Sequence, residues 1–112
     1  MITALTVAVL VGTWACTSPQ APHERFVYRF AHDGTGSLSE VARAGRVSST
    51  RLFTYSIGDG YVAMRNANTA PVRERIRIHS GVLEDNGYSY WHDGGWSGAA
   101  PDQFTYTCRR SR

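Results

Sequence analysis

From Arg25 onward the chain alternates between apolar and polar positions. Phe26, Tyr28 and Phe30 are separated by Val27 and Arg29, a period of two that predicts a strand. Phe53, Tyr55 and Ile57 alternate with Thr54 and Ser56, and Gly58-Asp59-Gly60 then leads into Tyr61-Val62-Ala63-Met64-Arg65. Asp-Gly between two such runs predicts a tight hairpin, because both central residues of that turn take positive φ. Asn66 to Pro71 reads as a loop. Val72, Glu74, Ile76 and Ile78 then alternate with Arg73, Arg75, Arg77 and His79, and Val82-Leu83 continues the sheet after Gly81. Asn86-Gly87 reads as a second hairpin turn, followed by Tyr88-Ser89-Tyr90-Trp91. His92 to Pro101 reads as a glycine-rich loop, and Phe104, Tyr106 and Cys108 as one face of a last strand.

One segment departs from this pattern. Ser37-Leu38-Ser39-Glu40 has the spacing of a capping box, and Val41-Ala42-Arg43-Ala44 ends at Gly45, so a short helix with a glycine stop is expected there. A further strand, with Val41 and Val47 facing inward, is the competing reading. The expected fold is therefore all-β with at most one short helix. It is a small antiparallel β-barrel or sandwich of six to seven strands, following an N-terminal signal segment.

The first fifteen residues contain no charged side chain, and Ile2, Ala4, Leu5 and Val7 to Val11 make an apolar run. A membrane-spanning helix needs about 20 apolar residues, so this stretch suits the apolar region of a secretory signal. Small, polar and Pro-containing residues follow, from Thr17 to Pro22. With Ala15 directly before Cys16, the segment resembles a bacterial lipoprotein signal, which implies cleavage before Cys16 and lipidation of its sulfur. Thr13 stands where such signals carry an aliphatic residue, and no Lys or Arg lies near Met1. The expected organisation is a signal peptide at 1–15, a linker at 16–24 and a β-domain at 25–112. Ordinary secretion and a buried N-terminal strand or helix are the alternatives. Cys16 and Cys108 are the only cysteines. Cys16 is thus lipidated, disulfide-bonded to Cys108, or neither, and pairing requires an oxidising compartment.

Composition narrows the chemistry further. With 112 residues, 42% of them hydrophobic, the chain is one domain with a modest core. All twelve basic residues are arginine and the net charge is +3, so Schiff-base chemistry and lysine-dependent phosphate loops are excluded. There is no internal repeat, dinucleotide-binding glycine motif or zinc spacing. His32-Asp33 and His92-Asp93 are adjacent pairs, whereas a catalytic base and its orienting acid normally come from different elements. Ser97 misses a nucleophile elbow because Ala99 stands where glycine is needed. No catalytic residue, metal ligand or cofactor site is expected.

Two surfaces remain as candidates. Tyr88, Tyr90, Trp91, His92, Asp93 and Trp96 form an aromatic, glycine-rich stretch suited to partner binding, although Tyr90 or Trp91 filling the core, with Trp96 as a plug at the barrel end, reads slightly better. Arg73, Arg75 and Arg77 must project from one strand face and suit an anionic surface, unless acids on a neighbouring strand neutralise them. The expected function is non-catalytic binding by an exported, lipid-anchored domain of the bacterial cell envelope. Its partners would be the membrane, through Cys16, and an envelope protein or glycan, with no nucleic acid involved. Without lipid on Cys16 it would be secreted. Ser80-Gly81, the stretch Tyr88 to Trp96 and the C-terminal cysteine are loosely similar to the membrane-bound inhibitors of C-type lysozyme. That resemblance implies a β-barrel that plugs a cell-wall hydrolase. This chain lacks that family's further cysteines and its functional lysine, so no inhibitory residue is carried over. A structural envelope component without a ligand is the other alternative.

Overall fold

The computed structural model describes residues 2–42, 45–66, 70–97 and 104–111. Arg43 and Ala44 in the expected helix, Gly98 to Pro101 in the expected loop, and Arg112 lie outside the described residues. The elements are β1 (Ile2–Thr3), α1 (Val7–Leu10), β2 (Gly12–Thr17), β3 (Arg25–Phe30), β4 (Thr35–Val41), β5 (Val47–Gly58), β6 (Tyr61–Arg65), β7 (Val72–His79), β8 (Val82–His92), β9 (Gly95–Trp96) and β10 (Tyr106–Arg110).

Strands β2 to β8 follow one another as antiparallel neighbours, and β10 fits between β8 and β2. Eight strands therefore close into an up-and-down barrel rather than a sandwich. Closure pairs every strand of the barrel on both sides over at least part of its length. The two-residue strands β1 and β9 add to β7 and β8. Three of the tight turns are Asp59-Gly60, Ser80-Gly81 and Asp93-Gly94, with both residues of each at positive φ, as two-residue hairpin turns require.

Two expectations need correction. Residues 35–41 form β4, not a helix. Leu38 pairs with Tyr28 on one side and Arg51 on the other, and this two-sided ladder overrides a local capping pattern. The hairpin before β8 turns at Ser80-Gly81, while Asn86-Gly87 lies within β8. The N-terminal stretch contributes β2, whose Gly12–Thr17 pair with β3 and β10. In β2, Trp14 and Cys16 are buried, and the helical turn lies just before it, at Val7–Leu10.

The interior is an aromatic column. Tyr28 stacks with Phe30 at 5.2 Å, and Phe53 and Tyr55 meet Phe30 at 5.8 and 5.2 Å. Val62, Met64, Ile76, Ile78 and Leu83 complete the inward face. Fully burying such a side chain contributes about 1.5–3 kcal/mol relative to exposure. The lower end of the barrel, which carries the turns Asp59-Gly60 and Ser80-Gly81, is closed by Leu10, with Leu5 and Val9 packed alongside.

The seam between β2 and β10 has its own reinforcement. The Arg110 guanidinium lies 4.3 Å from the Trp14 ring centre. It donates to the carbonyl of Val11 at 2.8 Å and to that of Val9, carbonyls left over where the helical turn ends. The Trp14 indole N–H donates to the Leu10 carbonyl at 2.9 Å. Gly12 is held at φ 134, where a Cβ would come within 2.7 Å of Arg110, so a larger residue would push this clamp apart. One step up the seam, Cys16 and Cys108 are register partners joined by a disulfide.

That disulfide closes a loop with a sequence separation of 92, and cross-linking so long a loop removes much unfolded-state entropy. Replacing both cysteines by Ala is expected to lower stability by about 2–5 kcal/mol, read from urea denaturation. Reductant should shift the parent protein in the same direction and leave the double variant unmoved.

Candidate functional site

β8 changes partners halfway along. Val82 to Asp85 pair with both β7 and β10, whereas Tyr88 to Tyr90 pair with β7 alone and Trp91 and His92 pair with β9. Between the halves the register passes from Ile76 opposite Asp85 to Glu74 opposite Tyr88. Asn86-Gly87 is thus a bulge facing Arg75, with Gly87 at φ 107. An extra residue re-aims everything after it. Tyr88 and Tyr90 come to share the inward register of Glu74 and Val72, while Trp91 joins the outer face with Arg73. The expected glycine-rich loop is in fact a hairpin: Trp91 pairs with Trp96 across Asp93-Gly94, and Tyr90 and Ser97 extend it by two hydrogen bonds.

The hairpin divides the aromatic residues by role. Trp96 lies over the Arg73 guanidinium at 4.6 Å, and Tyr61 covers the other side at 4.4 Å. Trp91 meets Trp96 edge-on at 5.4 Å. Trp96 is therefore a packing residue of the outer face, not a plug for the barrel end. Tyr88, Tyr90 and Trp91 remain 38%, 45% and 43% exposed, so Tyr90 and Trp91 do not fill the core. His92 and Asp93 contact each other at 3.1 Å at the hairpin tip, where the positive φ of Asp93 turns its carboxylate back. Both are well exposed, and such a pair contributes little.

The arginine row does project from one face, but its three members differ. Arg73 is sandwiched, with a buried Nε that has no hydrogen-bond partner among the described residues. Arg75 donates to the Tyr61 hydroxyl at 3.3 Å, and this bond, with the charges of Arg75 and Arg73, draws the Tyr61 pKa down. Arg77 faces Glu84 in register, yet the Glu84 carboxylate is bonded to His79 at 2.8 Å.

A second group was missed by the sequence reading. Asp85 is fully buried inside the barrel. It accepts from the Tyr28 hydroxyl at 3.1 Å and from the Gly87 N–H at 3.2 Å. Glu74, on the neighbouring strand, shares a side-chain hydrogen bond with Asp85. Burial pushes Asp85 up to about 6 and Glu74 well above its ordinary range, where the adjacent Asp85 charge adds to the effect. Burial and the Asp85 charge also push Tyr28 upward. The signal was available, since Glu74 occupies the apolar phase of Val72, Ile76 and Ile78. Among the described residues, no group of three or more metal-ligating side chains comes together.

Compared with known proteins, the chain matches no family model, and neither a curated protein nor a solved structure shows significant similarity to it.

The buried acid pair generates a pH dependence. A carboxyl with a higher pKa folded than unfolded makes the native state the tighter proton binder. Its stabilising effect is full below the ordinary value of 3.8 and is lost as pH rises through about 6. For Asp85 the span corresponds to about 3 kcal/mol. Urea denaturation between pH 4 and 8 should show stability falling across this window, and Asp85→Asn should flatten the curve.

Proposed function

We propose that the protein is an exported, non-catalytic binding module that holds its partner at the β7–β8–β9 hairpin. The observation that carries this reading is the exposure of Tyr88, Tyr90 and Trp91 on a strand segment that has left the barrel seam. Tyr and Trp offer a large, rigid apolar area with a polar tip, the composition of interface anchors. The locked Trp96–Arg73–Tyr61 stack supports it by holding the hairpin in one conformation, which lowers the ordering cost of binding. Arg75 and Arg77 on the adjacent face favour an anionic rim on that partner, an envelope protein or glycan.

Export is supported by the Cys16–Cys108 disulfide, since such bonds persist in oxidising compartments. A lipid anchor on Cys16 would occupy the same sulfur, so anchored and cross-linked chains are alternatives. Removing residues 1–15 would also take Trp14 from the core. We take the cross-linked, unanchored chain as the working form. Its intact mass from cells should be lower by two hydrogen atoms before reduction than after it. Acyl mass on a chain beginning at Cys16 would move the reading to the anchored form.

The binding reading is tested by capture from envelope extracts. Tyr90→Ala and Trp91→Ala should each weaken capture by about thirtyfold or more, as loss of a central aromatic anchor does. Their melting temperatures should stay close to that of the parent. Unchanged capture in both variants would reject the hairpin as the binding surface.

A further inference from the structure

A different part of β7 carries a site that the aromatic hairpin does not involve. Along its outer edge, residues up to Arg75 pair with β6, which begins at Tyr61, whereas Ile78 and His79 pair with β1. Ile76 and Arg77 fall between these partners and have no strand beside them on that side. The break opens as a cleft of ≈ 390 Å³ whose lining includes Ala4, Leu5, Asp59, Tyr61, Arg75 and Arg77.

The chemistry of this lining is specific. Arg75 and Arg77 sit two residues apart on one strand face, roughly 7 Å along the strand, within reach of one small anion from two sides. Arg75 is steadied by its bond to the Tyr61 hydroxyl. Tyr61 accepts in that bond, so its own O–H is free to donate. Arg77 makes no hydrogen bond or ion pair among the described residues. The acid across from it, Glu84, is engaged by His79. Asp59 is the one carboxylate on the lining, which leaves positive charge in excess. Leu5 and Ala4 supply the apolar side of the cleft, and hydrogen bonds from a guanidinium to an anion are charge-assisted.

We propose that this cleft binds a phosphate group, held between the Arg75 and Arg77 guanidiniums with the Tyr61 hydroxyl as a third donor. Guanidinium forks match phosphate oxygens two at a time, and donors arriving from three side chains suit a tetrahedral anion. The site shares Arg75, Arg77 and Tyr61 with the face beside the hairpin, but Tyr90 and Trp91 lie outside it, so partner capture and phosphate binding are read by separate experiments.

The test is nitrogen-resolved NMR of the full disulfide-bonded chain, titrated with inorganic phosphate against chloride at constant ionic strength. Saturable shifts are expected at the amides of Ile76, Arg77 and Ile78. Arg77→Gln and Arg75→Gln should each weaken them by about tenfold or more, while Arg25→Gln on β3 should leave them unchanged. The spectra themselves report whether each variant is folded. A second arm uses vesicles of phosphatidylcholine with and without phosphatidylglycerol. Arginine-dependent binding to the anionic vesicles identifies a lipid headgroup as the source, and phosphate saturation without vesicle binding identifies free phosphate. No response in either arm overturns the proposal. So does a response that Arg77→Gln and Arg25→Gln reduce equally, which would be diffuse attraction by a chain of charge +3.

Discussion

An antiparallel sheet of eight strands becomes a barrel only where its first and last members meet, and everything else in this molecule depends on that seam. The junctions from β2 through β8 join consecutive strands, and β8 to β10 spans the β9 hairpin. The β2–β10 pairing must join the two ends of the fold. The chain meets this demand three times within a few residues. The Arg110 guanidinium lies on the Trp14 ring, the same guanidinium ties down the end of α1, and the Cys16–Cys108 disulfide adds a covalent link. With the seam fixed, the aromatic column is enclosed and the lower end is capped by Leu10.

The fold distributes charge in an uncommon way. Arg25, Arg29, Arg65, Arg73, Arg75, Arg77 and Arg109 lie in the outward register of their strands, whereas Glu40, Glu74 and Asp85 lie in the inward register. Burying acids while displaying arginines leaves the outer wall with little to neutralise it. Glu84 is an outward acid, and His79 engages it. The barrel is therefore more basic to a visitor than its net charge suggests, and desolvation inside it pushes the pKa values of Glu74 and Asp85 upward.

Much of this was legible in the sequence, for reasons that can be named. Phe26, Tyr28 and Phe30 alternate cleanly because one face is core and the other solvent, and Asp59-Gly60 has the residues its turn demands. The misreadings also have causes. Ser37 to Glu40 carries a local helix signal, but pairing with β3 and β5 decides its conformation. Asn86-Gly87 has strong turn chemistry, yet Ser80-Gly81 already makes the hairpin, so the same residues serve as a bulge. The contact of Trp96 with Arg73, and that of Glu74 with Asp85, depend on the register introduced by the bulge, which no spacing rule supplies.

That bulge has a consequence for how the molecule can diverge. Below it, β8 belongs to the barrel wall and is constrained on both edges, by β7 and by β10. Above it, the strand pairs with β7 and with its own hairpin, and has parted from β10. Substitutions at Tyr88, Tyr90 or Trp91 can accumulate without disturbing the closure, much as a tool head is exchanged on a fixed handle. Selection is then free to change what the protein recognises while the rest of the barrel is inherited intact.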